Sequence, residues 1–210
     1  PKAVMITHEN LVWTAQQTIK GLGFTQGEVT ISYLPMSHIA EQMLSIHLPM
    51  AMGSLLYFAE SLEKLPEALQ EVRPTLFLGV PRVWEKIQAK MQAAGATAKP
   101  MQKKIVAWAK KTGLAAGYAE QEGRARPLTH PIAKKIVFDK VRGRLGLDRA
   151  RMCVTAAAPI SKDTLEFFLS LGIPLLEVYG MSECTGPATV SPPENYRTGK
   201  CGRVLDGAEV

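Results

Sequence analysis

Near the C-terminal end of the sequence, an aromatic residue, a glycine, a hydroxyl and a carboxylate fall within five positions. Tyr179 ends a strand-like apolar run and offers a ring face for stacking, and Gly180 lets the backbone approach a ligand closely. Ser182 offers a hydroxyl, and Glu183 offers a carboxylate oxygen, the ligand type that Mg²⁺ prefers when it also binds phosphates. The segment therefore predicts a site for a nucleotide phosphate and its metal ion.

Two other unusual loops also follow strand-like runs. One is LPMSHIAEQ (residues 34–42), which carries His38, and the other is TAAAPIS (residues 155–161). In open α/β sheets the ligand lies beyond the carboxyl ends of the strands. We therefore expect both loops to lie near VYGMSECTGP (residues 178–187) at one edge of a sheet.

The elements that must position these loops alternate between strands and helices. Apolar residues recur at helical spacing after Thr7, and short β-branched or aromatic runs are typical of buried strands. This order predicts the α/β class, with a mostly parallel sheet and helices on both faces. The predicted strands cover residues 29–34, 55–58, 75–80, 152–156 and 174–180, and the predicted helices begin after Thr7 and at Pro81 and cover residues 39–48, 62–72, 132–145 and 162–171.

The segment from residue 95 to 131 interrupts this alternation. Its small residues, paired lysines and turn-rich end predict a basic helical insertion. Residues 99–151 hold 14 Lys/Arg and 4 Asp/Glu, a net charge of +10, whereas the whole chain carries +6. Such a block attracts anions, whether membrane head groups, nucleic acid or a phosphorylated cosubstrate.

The composition, 46% hydrophobic and 21% charged over 210 residues, is that of one ordinary globular domain. No run approaches the roughly 20 apolar residues needed to span a bilayer, and the first residues lack the zones of a signal peptide. The three cysteines, Cys153, Cys184 and Cys201, are irregularly spaced, so neither disulfides nor a zinc site is predicted. A reducing, cytosol-facing compartment is expected.

The motifs together resemble those of one enzyme superfamily. YGMSE (residues 179–183) resembles the signature of the adenylate-forming superfamily of acyl-CoA synthetases, luciferases and peptide-synthetase adenylation domains. AAAPIS (residues 156–161) resembles its adenine-pocket loop, PKAVMITHENL (residues 1–11) the end of its phosphate loop, and LPMSHIAEQ the motif whose histidine lies beside the acyl carboxylate. FLGVPRVWEKI (residues 77–87) is similar to a stretch of long-chain fatty acyl-CoA synthetases, and YGMSECTGP with the basic insertion looks most like the bubblegum-type branch.

The resemblance implies a two-step reaction, in which a carboxylate attacks the α-phosphate of ATP and the CoA thiol then displaces AMP. It implies that Lys2 contacts phosphate, that Ser182 hydrogen-bonds the α-phosphate and that Glu183 holds Mg²⁺. Tyr179 is expected to stack on adenine. His38 is expected to orient the acyl carboxylate or to line the pocket that binds the acyl group. The residues expected to bind the nucleotide are Ala157, Ala158, Pro159, Glu177, Val178, Tyr179, Gly180, Met181 and Ser182.

The resemblance also implies that residues 1–210 form part of a large N-terminal adenylation domain. The glycines of the phosphate loop are expected before Pro1, and the ribose-binding aspartate, the hinge and the lysine-bearing C-terminal domain are expected beyond Val210. The isolated chain is therefore expected to make no acyl-CoA.

Two other functions stay open at this point. The chain could serve the activation of another carboxylate, such as an aryl acid or an amino acid, although GVPRVWEKI (residues 79–87) favours a long-chain fatty acid. It could also be a truncated binding module without catalytic activity.

Several residues have a structural alternative. His38 could be a capping or core histidine, and Val83 and Trp84 could pack on a helix face rather than line an acyl tunnel. Cys184 has no evident basic partner and is expected to be a small loop residue.

Two positions depart from the family pattern. Gln42 stands where some bacterial relatives place a tryptophan gate. YRTGK (residues 196–200) mimics a downstream ribose motif, but it ends in lysine and comes too early, so it is expected to be a surface loop.

The expected substrates and cofactors are a long-chain fatty acid, ATP, CoA and Mg²⁺, with no nucleic acid partner. The basic block is expected to hold the protein near anionic lipid, on the cytosolic face of the endoplasmic reticulum or another membrane. A solvated helix face without a partner is the alternative.

Overall fold

The computed structural model describes residues 3–209, so Lys2, the expected phosphate contact, lies outside the described residues. The elements in chain order are α1 (His8–Leu22), β1 (Val29–Ser32), α2 (Ile39–Gln42), α3 (Leu48–Met52), β2 (Leu55–Phe58), α4 (Leu65–Val72), β3 (Leu76–Gly79), α5 (Pro81–Ala96), α6 (Pro100–Gln121), α7 (His130–Ala133), α8 (Asp139–Leu145), β4 (Met152–Thr155), α9 (Lys162–Leu169), β5 (Leu175–Met181), β6 (Gly186–Val190) and β7 (Arg203–Val204). The π-helical turns Met43–His47 and Lys134–Phe138 join α2 to α3 and α7 to α8, and a 3₁₀ turn, Ser182–Cys184, follows β5.

The strands form two sheets, which meet where β1 lies beside β3. β1 and β2 pair in parallel, and the second sheet has the order β3-β4-β5-β6-β7. β3, β4 and β5 are parallel, whereas β6 and β7 are added antiparallel. The backbone N–H of Thr75 donates to the carbonyl of Val29 at 2.9 Å, which joins β1 to the start of β3. The predicted parallel sheet is thus confirmed, and the two antiparallel strands are an addition that the sequence patterns did not predict.

Helices cover both faces of the second sheet, as predicted. Along β3, Phe77 enters a core cluster with Trp84 of α5 and Phe168 of α9, and the rings meet edge to face at 5.2 and 5.0 Å. The preceding residue, Leu76, enters a separate cluster with Leu22 of α1. Successive side chains of a strand point to opposite faces, so the two clusters are the two helix-covered sides of one sheet.

The first helix begins and ends as the sequence predicts. The side chain of Thr7 accepts from the backbone N–H of Asn10 at 3.2 Å, which caps the N-terminus of α1. Gly23 takes a left-handed conformation with φ of 65° and ends the helix. This helix forms one wall of the cavity described below.

The basic segment contains a single long helix, α6, whose second half is tightly packed. A Cβ on Gly113 would lie 2.2 Å from the carbonyl oxygen of Ser170, and a Cβ on Gly117 would lie 2.4 Å from the side chain of Leu169. Only glycine therefore lets α6 approach the end of α9 this closely. In the first half of α6, residues 100–108 are exposed and have no such partner in the part of the chain that the structure describes.

Candidate functional site

A cavity of about 340 Å³ lies at the carboxyl ends of β3, β4 and β5 and is closed by α1, α2 and the π-helical turn that follows α2. Its interior is apolar, with Leu22, Leu44 and Val154 among the buried lining residues. Its exposed rim includes His38 and Glu183. We call it the carboxyl-end cavity. Its volume and mixed lining are those of a small-molecule site.

The register of β4 and β5 brings two of the predicted loops together. The pairing of the parallel strands ends at Thr155 and Glu177, so Ala157 and Tyr179, each two residues further along its chain, follow at the same edge. Ala157 lines the cavity and has a positive φ of 76°, a strained conformation for a residue with a side chain. The expectation that these loops meet at one sheet edge is confirmed.

The glutamate loop (residues 178–187) is held by backbone packing. The strand register shifts between Tyr179 and Gly180, where β5 pairs with β6. A Cβ on Gly180 would lie 1.9 Å from the carbonyl oxygen of Gly186, so the two backbones touch. Ser182 and Glu183 follow directly and line the cavity. The fold thus presents the hydroxyl and the carboxylate on a bulged strand end.

Other residues of the predicted nucleotide site divide between the cavity lining and its surroundings. Val178, Gly180 and Met181 line the cavity together with Ser182. Tyr179 does not line it, and this residue is 44% exposed. Ala158 and Pro159 are also exposed outside the lining. Their predicted contacts with adenine stay predictions.

Glu177 lies outside the cavity and anchors another loop. Its Oε2 accepts from the backbone N–H of Gly199 at 2.6 Å. Burial raises the pKa of this carboxyl, and the backbone donors of Gly199 and Lys200 oppose that effect. Glu177 therefore fixes residues 196–200, the YRTGK segment, of which Tyr196 is buried rather than part of the surface.

The histidine loop (residues 34–42) is held mainly by side chains. The Nδ1 of His38 accepts from the backbone N–H of Ala40 at 3.2 Å and caps α2. This bond leaves the proton of neutral His38 on Nε2. Because His38 also lines the cavity, capping and a role at the site are compatible.

Three residues support this loop in a role that sequence reasoning missed. Glu41 is fully buried, where its carboxylate accepts from the backbone N–H of Leu34 and from the hydroxyl of Ser45. Gln42 donates to the carbonyl of Met36 at 2.8 Å. The one available signal was a glutamate within the apolar helical run from residue 39 to 48.

The third missed residue, Tyr33, ties the end of β1 to the end of β3. Its hydroxyl donates to the carbonyl of Leu78 at 3.0 Å and accepts from the backbone N–H of Val80 at 3.1 Å. Burial, the largest cause, raises the pKa of Tyr33 to about 12, and the charge of Glu41 adds to the shift. Tyr33 thus links the two sheets below the cavity.

Two structural interpretations agree with the geometry. Trp84 is completely buried and donates from its indole N–H to the carbonyl of Val154 at 3.3 Å, and neither it nor Val83 lines the cavity. The sulfur of Cys184 hydrogen-bonds the backbone of Met181 and Gly186 within its own turn. Both residues therefore serve the fold.

Within residues 3–209, no helix is both long and apolar enough to cross a membrane. The same residues contain no group of three or more His, Cys, Asp or Glu side chains able to hold a metal ion among themselves.

Comparison with known proteins identifies close relatives over the whole chain. The family described as AMP-binding enzyme matches residues 1–210. The chain is 48% identical to long-chain-fatty-acid–CoA ligase ACSBG2 of Xenopus laevis, over 100% of this chain and 30% of that protein. It is 37% identical to long-chain-fatty-acid–CoA ligase ACSBG1 of Rattus norvegicus, again over 100% of this chain and 30% of that protein. These matches confirm the resemblance to the bubblegum-type branch, and the chain spans about a third of the relatives' length.

Solved structures show the same fold. A benzoate CoA ligase from Burkholderia xenovorans LB400 has a TM-score of 0.65 at 19% identity, covering 99% of this chain and 33% of that chain. ATP-bound MatB from Rhodopseudomonas palustris has a TM-score of 0.66 at 19% identity, covering 98% of this chain and 31% of that chain. At this identity the likeness concerns the fold alone.

Proposed function

Because this chain belongs to the AMP-binding enzyme family, we propose that it forms part of an enzyme that activates a long-chain fatty acid with ATP and passes it to CoA. The observation that carries the proposal is the carboxyl-end cavity, where the glutamate loop and the histidine loop meet around an apolar interior. The names of the relatives support the substrate class.

The residues of the cavity rim fit a nucleotide phosphate. Gly180 and Gly186 carry no side chain and keep the glutamate loop close to the sheet, while Ser182 presents a hydroxyl at the cavity. Tyr179 has an exposed ring beside the rim, available for stacking on adenine. ATP bound here would place its phosphates beside Ser182 and Glu183.

Glu183 fits a magnesium ion shared with the nucleotide. Mg²⁺ is usually held by one or two carboxylates, substrate phosphates and water, so it needs no cluster of protein ligands. Glu183 is exposed on the rim of the cavity, where its carboxylate is accessible to a metal ion. When bound, the metal would neutralise phosphate charge.

His38 suits the orientation of the acyl carboxylate. With Nδ1 occupied by Ala40, its Nε2–H is the remaining donor. The apolar interior behind it, lined by Leu22, Met43 and Leu48, suits an alkyl chain. A carboxylate beside His38 and a phosphate beside Ser182 would then face each other across one rim, which supplies the proximity that two anionic reactants need.

The proposal is tested by Glu183→Gln in the full-length protein, which we expect to lower fatty-acid-dependent pyrophosphate release by on the order of a hundredfold. The thermal unfolding midpoint should stay unchanged, because Glu183 is exposed. Glu194→Gln is the matched control, since Glu194 is also exposed but does not line the cavity. Pyrophosphate release that is equal in both variants would contradict the role of Glu183.

The substrate class is tested with a panel of carboxylic acids. We expect ATP- and CoA-dependent thioester formation with long-chain fatty acids to exceed that with benzoate or amino acids, because the cavity interior is apolar. A preference for an aryl or amino acid would favour the alternative activity. No turnover of any acid by the full-length protein would favour a binding module.

We also propose a cytosolic protein that associates peripherally with anionic membrane surfaces, such as the cytosolic face of the endoplasmic reticulum. The net charge of +10 between residues 99 and 151 supports this association. Proximity to lipid would bring the enzyme to its water-insoluble substrate.

A further inference from the structure

The junction of α5 and α6 extends from the body of the domain. Residues 92–108 are exposed at every position except Ala98. We call this segment the helical tip. An element that is exposed on all sides has no covering partner within the described residues, although its two neighbours along the chain, Met91 and Ala109, reach the core.

One face of the helical tip is apolar and continues a buried face. Three large apolar side chains recur at i, i+4 and i+7, which places them on one side of the helix. This apolar stripe is Met101, Ile105 and Trp108, with exposed fractions of 68%, 41% and 37%. The same spacing leads onward to Thr112 and Ala116, which are buried. Within residues 3–209, the stripe is therefore the uncovered half of a face whose other half packs in the fold.

Lysines flank this stripe, and acidic residues are absent nearby in the sequence. Residues 86–119 contain seven lysines and no aspartate or glutamate. One of them, Lys110, is occupied, because its Nζ lies 4.2 Å from the ring centre of Phe167. Burial correspondingly lowers the pKa of Lys110. Lys104 and Lys111, seven residues apart on the same side of the helix, border the stripe and are both exposed. We call these two residues the lysine flank.

We propose that the helical tip is the element that binds an anionic lipid bilayer. The apolar stripe enters the headgroup region, and the lysine flank lies at the lipid phosphates. A helix with an apolar face, lysines on the polar face and a tryptophan is suited to lie in the plane of a membrane interface. This inference rests on the proposed peripheral association and assigns it to one segment rather than to the whole basic block.

The charge pattern favours lipid over a protein partner. An interface with another protein or a second copy is depleted of lysine at its centre, whereas lysines bordering the apolar stripe can reach anionic head groups with their long side chains. The stretch that contains the helical tip, residues 86–119, carries seven positive side chains and no negative side chain to balance them. Its electrostatic complement is therefore a strongly anionic surface.

The test measures co-sedimentation of the full-length protein with phosphatidylcholine vesicles with and without phosphatidylserine. We expect binding to the anionic vesicles only, weakened by salt. Trp108→Ser combined with Ile105→Ser should lower vesicle partitioning on the order of tenfold or more, from the lost apolar burial. Met50→Ser is the matched control, because Met50 is an exposed apolar residue on α3, outside the helical tip.

A second pair of variants separates charge from side-chain shape. Lys104→Gln with Lys111→Gln should lower partitioning by roughly tenfold or more, since each basic residue near the surface contributes about fivefold. The arginine variants at both positions should retain binding. Activity on a short, soluble acyl substrate should stay unchanged in all these variants.

The outcomes distinguish this inference from the proposed function. Binding to anionic vesicles that the tip variants do not weaken would overturn the role of the helical tip and leave peripheral association in place. No binding to any vesicle would overturn both, while catalysis would stand on its own assay. A change of oligomeric state in the tip variants, without a change in vesicle binding, would identify a second copy as the partner and overturn the lipid proposal.

Discussion

The glutamate loop and the histidine loop border the same cavity, but they are held in place by different means. In the glutamate loop, the backbone at Gly180 touches the backbone at Gly186, and Thr185 takes a left-handed conformation with φ of 65°. In the histidine loop, the fixed points are side chains, namely Glu41, Gln42 and the cap from His38.

The difference predicts how each loop responds to mutation. Backbone atoms cannot rotate away from an added atom as a side chain can. A single added methyl group should therefore displace the glutamate loop and destabilise the fold. A side-chain network loses one bond at a time, so the histidine loop should weaken in steps whose size follows the burial of each side chain.

The largest effect is expected for Gly180→Ala. The added Cβ would lie 1.9 Å from one backbone atom of Gly186 and 2.8 Å from the Cα of Pro187, so the strands must separate. We expect a loss of about 3 kcal/mol or more in the free energy of unfolding, measured by urea denaturation, together with loss of pyrophosphate release.

The same substitution at Gly143 is the control. No atom lies within 4 Å of a Cβ built there, in α8, and alanine is the better helix former by about 0.5–1 kcal/mol. Gly143→Ala should therefore be neutral or stabilising. If Gly180→Ala behaves in the same way, backbone contact does not hold the glutamate loop.

The second effect is expected for Glu41→Ala. The substitution leaves the part-buried N–H of Leu34 and the buried hydroxyl of Ser45 without their acceptor, which should cost about 2–3 kcal/mol in unfolding free energy. Glu85→Ala, at an exposed position of α5, is the control and should change stability by less than about 0.5 kcal/mol. Equal urea midpoints for the two variants would show that Glu41 does not support the loop.

Much of the fold could be predicted because its signals are local. The helix after Thr7 has a capping residue and a terminating glycine, and the strand at residues 55–58 has the predicted bounds. β6 and β7 could not be predicted in this way. β6 contains Pro187, which argues against a strand, and β7 has only two residues, which pair through contacts distant in sequence.

The site could be predicted in its reactive residues but not in its supports. Ser182 and Glu183 were identified by type and spacing and His38 by the resemblance of its loop to a family motif, and all three line the cavity. Their supports, such as Glu41 and Tyr33, act through tertiary contacts that no short motif encodes. Glu177 has a support role of the same kind, because its carboxylate accepts from the backbone N–H of Gly199, and its expected contact with the nucleotide stays a prediction.

The third effect is expected for Tyr33→Phe. The variant keeps the ring beside Phe77 but loses the bonds to Leu78 and Val80, at a cost of about 1–2 kcal/mol in unfolding free energy near neutral pH. Tyr57→Phe, at a residue that is 47% exposed, should change little.

The Tyr33 difference should depend on pH. Its pKa is about 12 in the folded protein against an ordinary value of 10.0, so folding favours the protonated hydroxyl. The stabilisation is fully present below pH 10 and is lost as the pH rises toward 12. Urea titrations of both proteins should therefore converge over this range, and a constant difference would contradict the assignment.

The smallest effect on stability is expected at His38, where the cap and the proposed contact with the acyl carboxylate can be separated. His38→Ala removes both the cap of Ala40 and the Nε2–H, and should cost about 1 kcal/mol in unfolding free energy. His38→Asn provides a good capping side chain but no imidazole, so it should restore stability. If His38 orients the carboxylate, both variants should lose activity alike and show a raised KM for the fatty acid, while the KM for ATP changes less. Recovery of activity in His38→Asn would instead show that the histidine loop needs only its cap, and that side-chain support, not imidazole chemistry, is what His38 contributes to the site.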